Sequence, residues 1–484
     1  MSLVEKLNFD AYLHVMTRTV KFLLLSILVL AFGCQSSNEN PTHAFVMVTT
    51  ADQSQLLAKR DLEVTSAGAN DLPVIEVDTN QVFQSIDGFG YTLTGGSALH
   101  MHNMSDDARS VLLSELFSID EGSIGISFLR LSIGASDLDD APFSYNDLAE
   151  GETDESLAQF DLGQDKEHLI PLLKEILAIN PQLKLMGSPW SPPVWMKDNG
   201  DTRGGSLLLA YYGVYAQYLV KYIEGMAEEG IPIWGITIQN EPLHPGNNPS
   251  LLMLAADQAN FIKDHLGPAF RDAGIETKII IYDHNADRPD YPISILNDPE
   301  ANQFIDGSAF HLYSGEIEAL TKVHEAHPDK HLYFTEQWIG SPANFAGDFR
   351  WHVRELIIGA TRNWSKVVLE WNLAADPNQD PHTDRGGCDR CLGALTIDGD
   401  QVERNPAYYI IAHASKYVSQ GSVRVSSNSP ETLPNVAFKT PEGKIVIIVL
   451  NDGDQASQLA IKVGDSLVEH ELTAGAAGTY VFQK

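Results

Sequence analysis

Cysteine is nearly absent from this sequence, with three residues in 484: Cys34, Cys388 and Cys391. That is too few for a small fold stapled by several disulfides. Basic residues are scarce as well, 32 Lys and Arg against 65 Asp and Glu, for a formal net charge of -33. Such a chain repels nucleic acid and anionic membrane surfaces, and suits a soluble protein that handles a neutral partner. Long apolar runs are also lacking: Phe22–Phe32 is too short to span a bilayer comfortably. What is present is globular, 43% hydrophobic with 37 Gly and 24 Pro, and the length suits one large domain with a smaller one beside it.

The N-terminus reads as an address. Arg18 and Lys21 precede Phe22–Phe32, a run with the length of a signal-peptide core, and Gly33-Cys34 and the polar stretch QSSNEN follow. This resembles a bacterial lipoprotein signal, in which the Cys is lipidated and becomes the mature N-terminus. Ala31-Phe32 departs from the usual Leu and small residue. Glu5 and Asp10 do not suit a basic leader, so Met16 is the better start. The expectation is a signal over 1–34 and a chain that is exported, as a cell-surface or outer-membrane lipoprotein, a periplasmic protein, or a secreted one. Its only link to a membrane would be a lipid on Cys34. In an oxidising compartment the C-x-x-C pair Cys388 and Cys391 defaults to a disulfide. Zinc is the alternative, with His382 near, but one ligand is missing.

Residues 35–70, rich in Ser, Thr, Asn, Gln and Ala, read as a tether with an uncertain first strand. Strand-like runs begin at PVIEVD. From Phe89 to about Ala414, apolar strands alternate with amphipathic helices. The strand candidates are 87–93, 127–133, 183–189, 234–240, 279–283, 308–313, 331–336 and 366–371, with helical patterns such as 168–179, 209–229 and 255–273 between them. Eight strands with intervening helices predict an α/β fold, a (β/α)₈ TIM barrel over 87–414. After Val418 the helices stop, and short runs such as IVIIVLND and TYVFQK predict a β-sandwich. Residues 71–86 have nowhere else to pair, so they are expected to join 415–484 in a side domain built from both termini.

Two carboxylates stand out. IPIWGITIQNEP (231–242) is an apolar, β-branched strand that ends in Asn240, Glu241 and Pro242; HLYFTEQW (331–338) repeats the pattern with Glu336. A carboxylate after a buried strand is costly unless solvated or paired. In a barrel, side chains at the C-terminal strand ends form the active site. One such Glu is as readily a surface loop residue. Two, after the fourth and seventh strands, face each other across the barrel mouth, as a pair of glycosidase carboxyls would. Other strand ends carry Trp190 and Trp195, His311 and Tyr313, and Trp371 and Asn372. Aromatic faces and hydrogen-bonding groups of this kind suit a sugar.

The chain resembles glycoside hydrolase family 30, most closely its glucosylceramidase and β-1,6-glucanase branch. The stretches that carry the likeness are DGFGYTLTGGSA (87–98), FLRLSIGASD (128–137), GSPWSPPVWMKDNG (187–200), ITIQNEP (236–242), HLY (311–313), FTEQW (334–338), EWNLAADPN (370–378) and ASKYVSQGSVRV (414–425). The resemblance implies Glu241 as acid/base and Glu336 as nucleophile. It implies Arg130, Trp190, Asn240, His311, Tyr313, Trp338, Trp371 and Asn372 as substrate-binding positions. Two positions depart: Gly95 stands where glucosylceramidases carry an Asp for the glucose 4-hydroxyl, and Leu312 where they carry Trp.

A retaining double displacement on a β-glucan oligo- or polysaccharide is therefore expected, most of all a β-1,6-linked or β-1,6-branched one. It requires no metal or organic cofactor, and the pKa of Glu241 should be raised by the charge of Glu336. Glucosylceramide and β-xylan or glucuronoxylan are the alternative substrates. A non-catalytic glycan-binding surface lipoprotein is the alternative from another class.

Overall fold

The computed structural model describes residues 40–68 and 71–484. The signal expected over 1–34, Cys34 included, lies outside the described residues. Eight strands, all parallel, close a barrel in chain order: β1 (Gly88–Leu93), β2 (Phe128–Ile133), β3 (Lys184–Pro189), β4 (Gly235–Thr237), β5 (Lys278–Asn285), β6 (Ile305–His311), β7 (His331–Glu336) and β8 (Ser365–Asn372), which returns to β1. Their apolar, β-branched composition suits strands covered on both sides, by helices outside and by packed side chains within. The helical pattern over 255–273 is continuous but contains a π-helical turn at Ile262–Leu266, between Ala255–Phe261 and Gly267–Ala273.

The barrel interior is layered. Its apolar floor consists of Phe128, Met186, Ile280, Ala309, Tyr333, Val367 and Leu369, with Trp234 against it. Below, at the N-terminal strand ends, Lys184 and Lys366 reach Asp87 at 2.5 and 3.2 Å, and Lys278 reaches Asp306 at 2.6 Å. The Lys184 and Lys278 ammonium groups also lie over the Trp234 ring. This end is closed by paired charges, which leaves the C-terminal strand ends as the open face.

The side domain is one hydrogen-bonded succession of ten strands with a core of its own that includes Val46, Ile75, Val425, Ile447, Leu459 and Tyr480. Val74–Ser85 enters it between Val423–Ser427 and Ser457–Val463. The tether expected over 35–70 is corrected here: His43–Thr49 and Ala58–Leu62 are strands. His43–Thr49 pairs along its whole length with Ala477–Gln483 and buries Ala44, Val46 and Val48. The polar turn at 50–55 dilutes the composition around it, which is why the stretch reads as a linker. Barrel and side domain are joined by backbone bonds between Ile86 and both Gly421 and Ser422, and by Arg362 donating to the Asn435 carbonyl. Among the described residues no helix is long and apolar enough to cross a membrane.

Removing residues 41–66 should bare the edge of Ala477–Gln483 and open the side-domain core. Thermal unfolding of the shortened chain should begin several degrees lower and end in aggregation, read by circular dichroism and light scattering.

Candidate active site

The open face of the barrel holds a cavity of about 400 Å³, lined by Asp137, Trp190, Asn240, Glu241, His244, Asn247, Asn285, Tyr313, Glu336, Trp338, Trp371, Cys388 and Cys391. The expected pair Glu241 and Glu336 is thus brought to one site, with Trp190, Asn240, Tyr313, Trp338 and Trp371. Arg130 and His311, both fully buried, stand directly behind the two carboxyls.

Backbone irregularities aim these groups. Tyr282 and Asp283 both have positive φ, at 74° and 63°, and the pairing of β5 with β6 slips between Tyr282 and His284. Strict alternation would send Asp283 outward; this bulge turns it into the barrel. There it accepts from Arg130, Ser188, Thr237, His311 and Thr335 at 2.7–3.1 Å. Glu241 has φ +45°, uncommon for a residue other than Gly, and its N–H is tied to the Asp283 carbonyl at 3.0 Å. The strain falls on the residue that faces the cavity.

Arg130 organises the Glu336 side. Its Nη1 donates to Glu336 Oε2 at 2.6 Å, and its Nη2 to Asn240 Oδ1 at 2.7 Å and Asp283 Oδ2 at 2.8 Å. The guanidinium also lies over Trp190 and Trp371, 4.8 and 5.8 Å from their ring centres. Tyr313 Oη donates to Glu336 Oε1 at 3.0 Å. Burial pushes the Glu336 carboxyl up, as do the charges of Glu241 and Asp283, while His311 and Arg130 pull it down.

His311 couples the two carboxyls. Its Nδ1 lies 3.3 Å from Glu241 Oε1 and 3.6 Å from Glu336 Oε1, while Nε2 meets Asp283 Oδ1 at 3.1 Å. Burial lowers the His311 imidazole, but the Glu336 charge and its bonds to Asp283 and Glu241 lift it to about 10. The raised pKa expected of Glu241 is reversed. Burial pushes Glu241 up, but His284 and His311 both face its Oε1 and hold it below the ordinary carboxylate range. The charge of Glu336, which was expected to raise Glu241, raises His311 instead.

Asn372 is corrected. It is not part of the cavity lining: its Oδ1 accepts from Ser97 Oγ at 2.8 Å and its Nδ2 donates to the Cys391 carbonyl at 3.4 Å. Both ends of the amide are used by the protein. Trp195 likewise turns away, its indole bonded to Asn146. Cys388 and Cys391 form a disulfide with Cα atoms 5.6 Å apart, so neither sulfur is a thiolate ligand for zinc. Cys391 packs with Trp190, Trp371 and Leu138, which places the disulfide in the cavity wall.

The Gly95 departure acquires a physical meaning. A Cβ at Gly95 would meet Asp139 Oδ1 at 1.7 Å, so the space is already filled by a carboxylate from the β2 loop. Asp137, two residues earlier, does line the cavity, and no neighbouring side chain among the described residues donates to it. It ends the FLRLSIGASD stretch, which was its only sequence signal. Asp283, His284 and Asn285 were missed for another reason: IIIYDHN reads as a buried strand running into a loop, with no sign of a bulge.

Burial, with the charges of Glu336, Glu241 and Asp139, pushes the Asp137 carboxyl from 3.8 to about 8. The folded protein therefore holds a proton here that the unfolded chain releases near pH 4. The stabilisation is complete below that pH and disappears as pH rises through about 8. Asp137→Asn should flatten this dependence and raise Tm at pH 8 by several degrees. Thermal melts of both proteins from pH 4 to 9 check it.

The Glycosyl hydrolase family 30 TIM-barrel domain matches residues 86–418 and the family's beta sandwich domain matches 421–480. An endo-1,6-beta-D-glucanase of Neurospora crassa is 34% identical over 390 residues, covering 76% of this chain and 79% of that protein. A putative glucosylceramidase of Caenorhabditis elegans (glucosylceramidase 4) is 30% identical over 438 residues, covering 85% and 83%. Among solved structures, the endo-beta1,6-glucanase BT3312 superposes with a TM-score of 0.85 at 32% identity, covering 91% of this chain and 99% of that one. The chain belongs to glycoside hydrolase family 30.

Proposed function

We propose that this protein is a retaining, endo-acting β-1,6-glucanase, with Glu336 as nucleophile and Glu241 as acid/base. The observation that carries the mechanism is that both Oε1 atoms sit on one nitrogen, His311 Nδ1, at 3.3 and 3.6 Å. That keeps the carboxyls close, as retaining enzymes require at about 5–5.5 Å, where inverting enzymes need room for a water. Arg130 and Tyr313 each donate to Glu336, which favours its ionised form and fixes its aim. Arg130 also takes Asn240 Oδ1 and leaves the amide nitrogen free to donate to a sugar 2-hydroxyl.

In the first step a Glu336 oxygen bonds to the anomeric carbon as the glycosidic bond breaks, and the departing oxygen takes a proton from Glu241. That proton rests on His311 in the free site and reaches the substrate through Glu241 Oε1. Esterified Glu336 carries no charge, so His311 loses the principal reason to hold a proton, and Glu241 remains a carboxylate. In the second step Glu241 takes a proton from water, the oxygen of that water bonds to the anomeric carbon, and Glu336 leaves. The restored Glu336 charge then returns the proton to His311.

For the substrate, the support is the group of endo-1,6-beta-D-glucanases 32–34% identical to this chain, together with aromatic cavity walls at Trp190, Trp338, Trp371 and Tyr313. Leu312 is buried and outside the lining, so it does not shape the sugar site. Asp137 supplies the carboxyl for a sugar hydroxyl. Export is part of the same reading, with the disulfide suiting an oxidising compartment and Cys34 as the lipidated residue. Metabolic labelling with a palmitate analogue should mark the wild type and not Cys34→Ser.

On linear β-1,6-glucan the products should be oligosaccharides of mixed length, with little release of sugar from xylan or glucosylceramide. Glu336→Gln should abolish turnover. Glu241→Ala should slow glucan hydrolysis by roughly 10²–10⁴ while sparing aryl glycosides with good leaving groups. Equal losses on both substrates in steady-state assays would overturn the assignment of Glu241.

A further inference from the structure

His284 takes no proton in either glycosidic step. Its Nδ1 is buried, has no hydrogen-bond partner, and stands 3.6 Å from Glu241 Oε1. His311 Nδ1 faces the same oxygen at 3.3 Å, and the three ligand atoms lie within 4.8 Å of one another. We propose that Glu241, His284 and His311 form a binding site for a borderline-soft divalent cation of the Zn²⁺ class.

The donor set and spacing support this. Two imidazole nitrogens and one glutamate oxygen form a recurrent zinc ligand set. Bonds of about 2.0–2.1 Å to a tetrahedral ion put neighbouring ligand atoms roughly 3.3–3.4 Å apart. The two measured edges at Glu241 Oε1 are 3.3 and 3.6 Å, so two ligand pairs already stand near that spacing. His311 is also backed as a metal-binding histidine usually is: its other nitrogen, Nε2, meets Asp283 Oδ1 at 3.1 Å, which orients the ring, and the cation displaces the proton from Nδ1 to solvent as it binds there. Glu241 borders the cavity, which leaves the fourth position for water. The nearby charge favours a cation: Glu336 and Asp283 are set against Arg130. Mg²⁺ prefers six oxygen ligands and gains little from two imidazoles.

Binding has a consequence for the reaction. The cation takes the Glu241 oxygen on which the proton must arrive, so a loaded site cannot run the acid step. This consequence rests on the role proposed for Glu241; the binding itself does not.

Calorimetric titration of the whole protein with ZnCl₂ in a non-chelating buffer should show one site, absent with MgCl₂ and reversed by EDTA. His284→Gln and, separately, Glu241→Gln should each weaken binding more than about 100-fold, because losing a ligand exceeds the loss expected from removing its outer partner. Thermal melts should show Zn²⁺ raising Tm in the wild type and in neither variant, each variant melting cooperatively without metal. Absence of stoichiometric Zn²⁺ binding, or binding that both variants retain, would overturn the site. If the cation binds, the variants lose it, and the loaded wild type still cleaves β-1,6-glucan at full rate, then the site stands and Glu241 is not the acid.

Discussion

The buried ion pair between Arg130 and Asp283 underlies the rest of the open face. Both side chains are wholly excluded from solvent, with Nη2 and Oδ2 2.8 Å apart. Desolvating two charges costs several kcal/mol for each ion, and a bare pair rarely recovers it. Here most of the remaining valences are used, Arg130 Nε excepted. Asp283 takes further donors from Ser188, Thr237, His311 and Thr335, each from a different barrel strand or strand end. Arg130 also donates to Glu336 through Nη1 and to Asn240 through Nη2. One pair therefore orients β3, β4, β6 and β7 against each other, and both carboxyls of the site depend on it: Glu336 through Arg130, Glu241 through His311.

That arrangement has an electrostatic result. Four carboxyls, Asp137, Glu241, Asp283 and Glu336, share one small volume with one guanidinium, so protons in the cluster belong to the group as a whole. Asp283 is held well below the ordinary range, with burial opposing and the Arg130 charge and His311 bond prevailing. Asp137, without such partners, is displaced upward to about 8. His311 sits between the two carboxyls and is lifted to about 10 by them.

The cavity wall that carries the disulfide depends on residues that are distant in sequence. The disulfide segment pairs with the loop after β7, Cys391–Leu392 against Ile339–Gly340, and its Cys391 carbonyl is held by Asn372. Asn372 also receives Ser97 Oγ from the first turn of the helix Gly95–His102. A residue that looked like a sugar contact instead fastens the ends of β8, that helix and the disulfide wall to one another.

Much of the barrel was legible because its signal is local. A buried parallel strand must be apolar along its length and must end where polar residues begin, so ITIQNEP and HLYFTE disclosed both the strands and their terminal carboxylates. The side domain was legible in part: IVIIVL announces a buried strand, whereas HAFVMVT was lost beside a polar turn. The neighbours of the carboxyls were not legible. Asp283 points inward only because two residues of β5 take positive φ, and His284 reaches Glu241 only because that bulge shifts the strand. The sequence by itself determined the barrel, the family resemblance and the two glutamates, because each rests on composition and spacing along the chain. Tertiary structure alone decided which carboxyl keeps a proton, that Asp139 fills the room above Gly95, and that Asn372 faces the protein, because those depend on distances between strand ends that no linear pattern records.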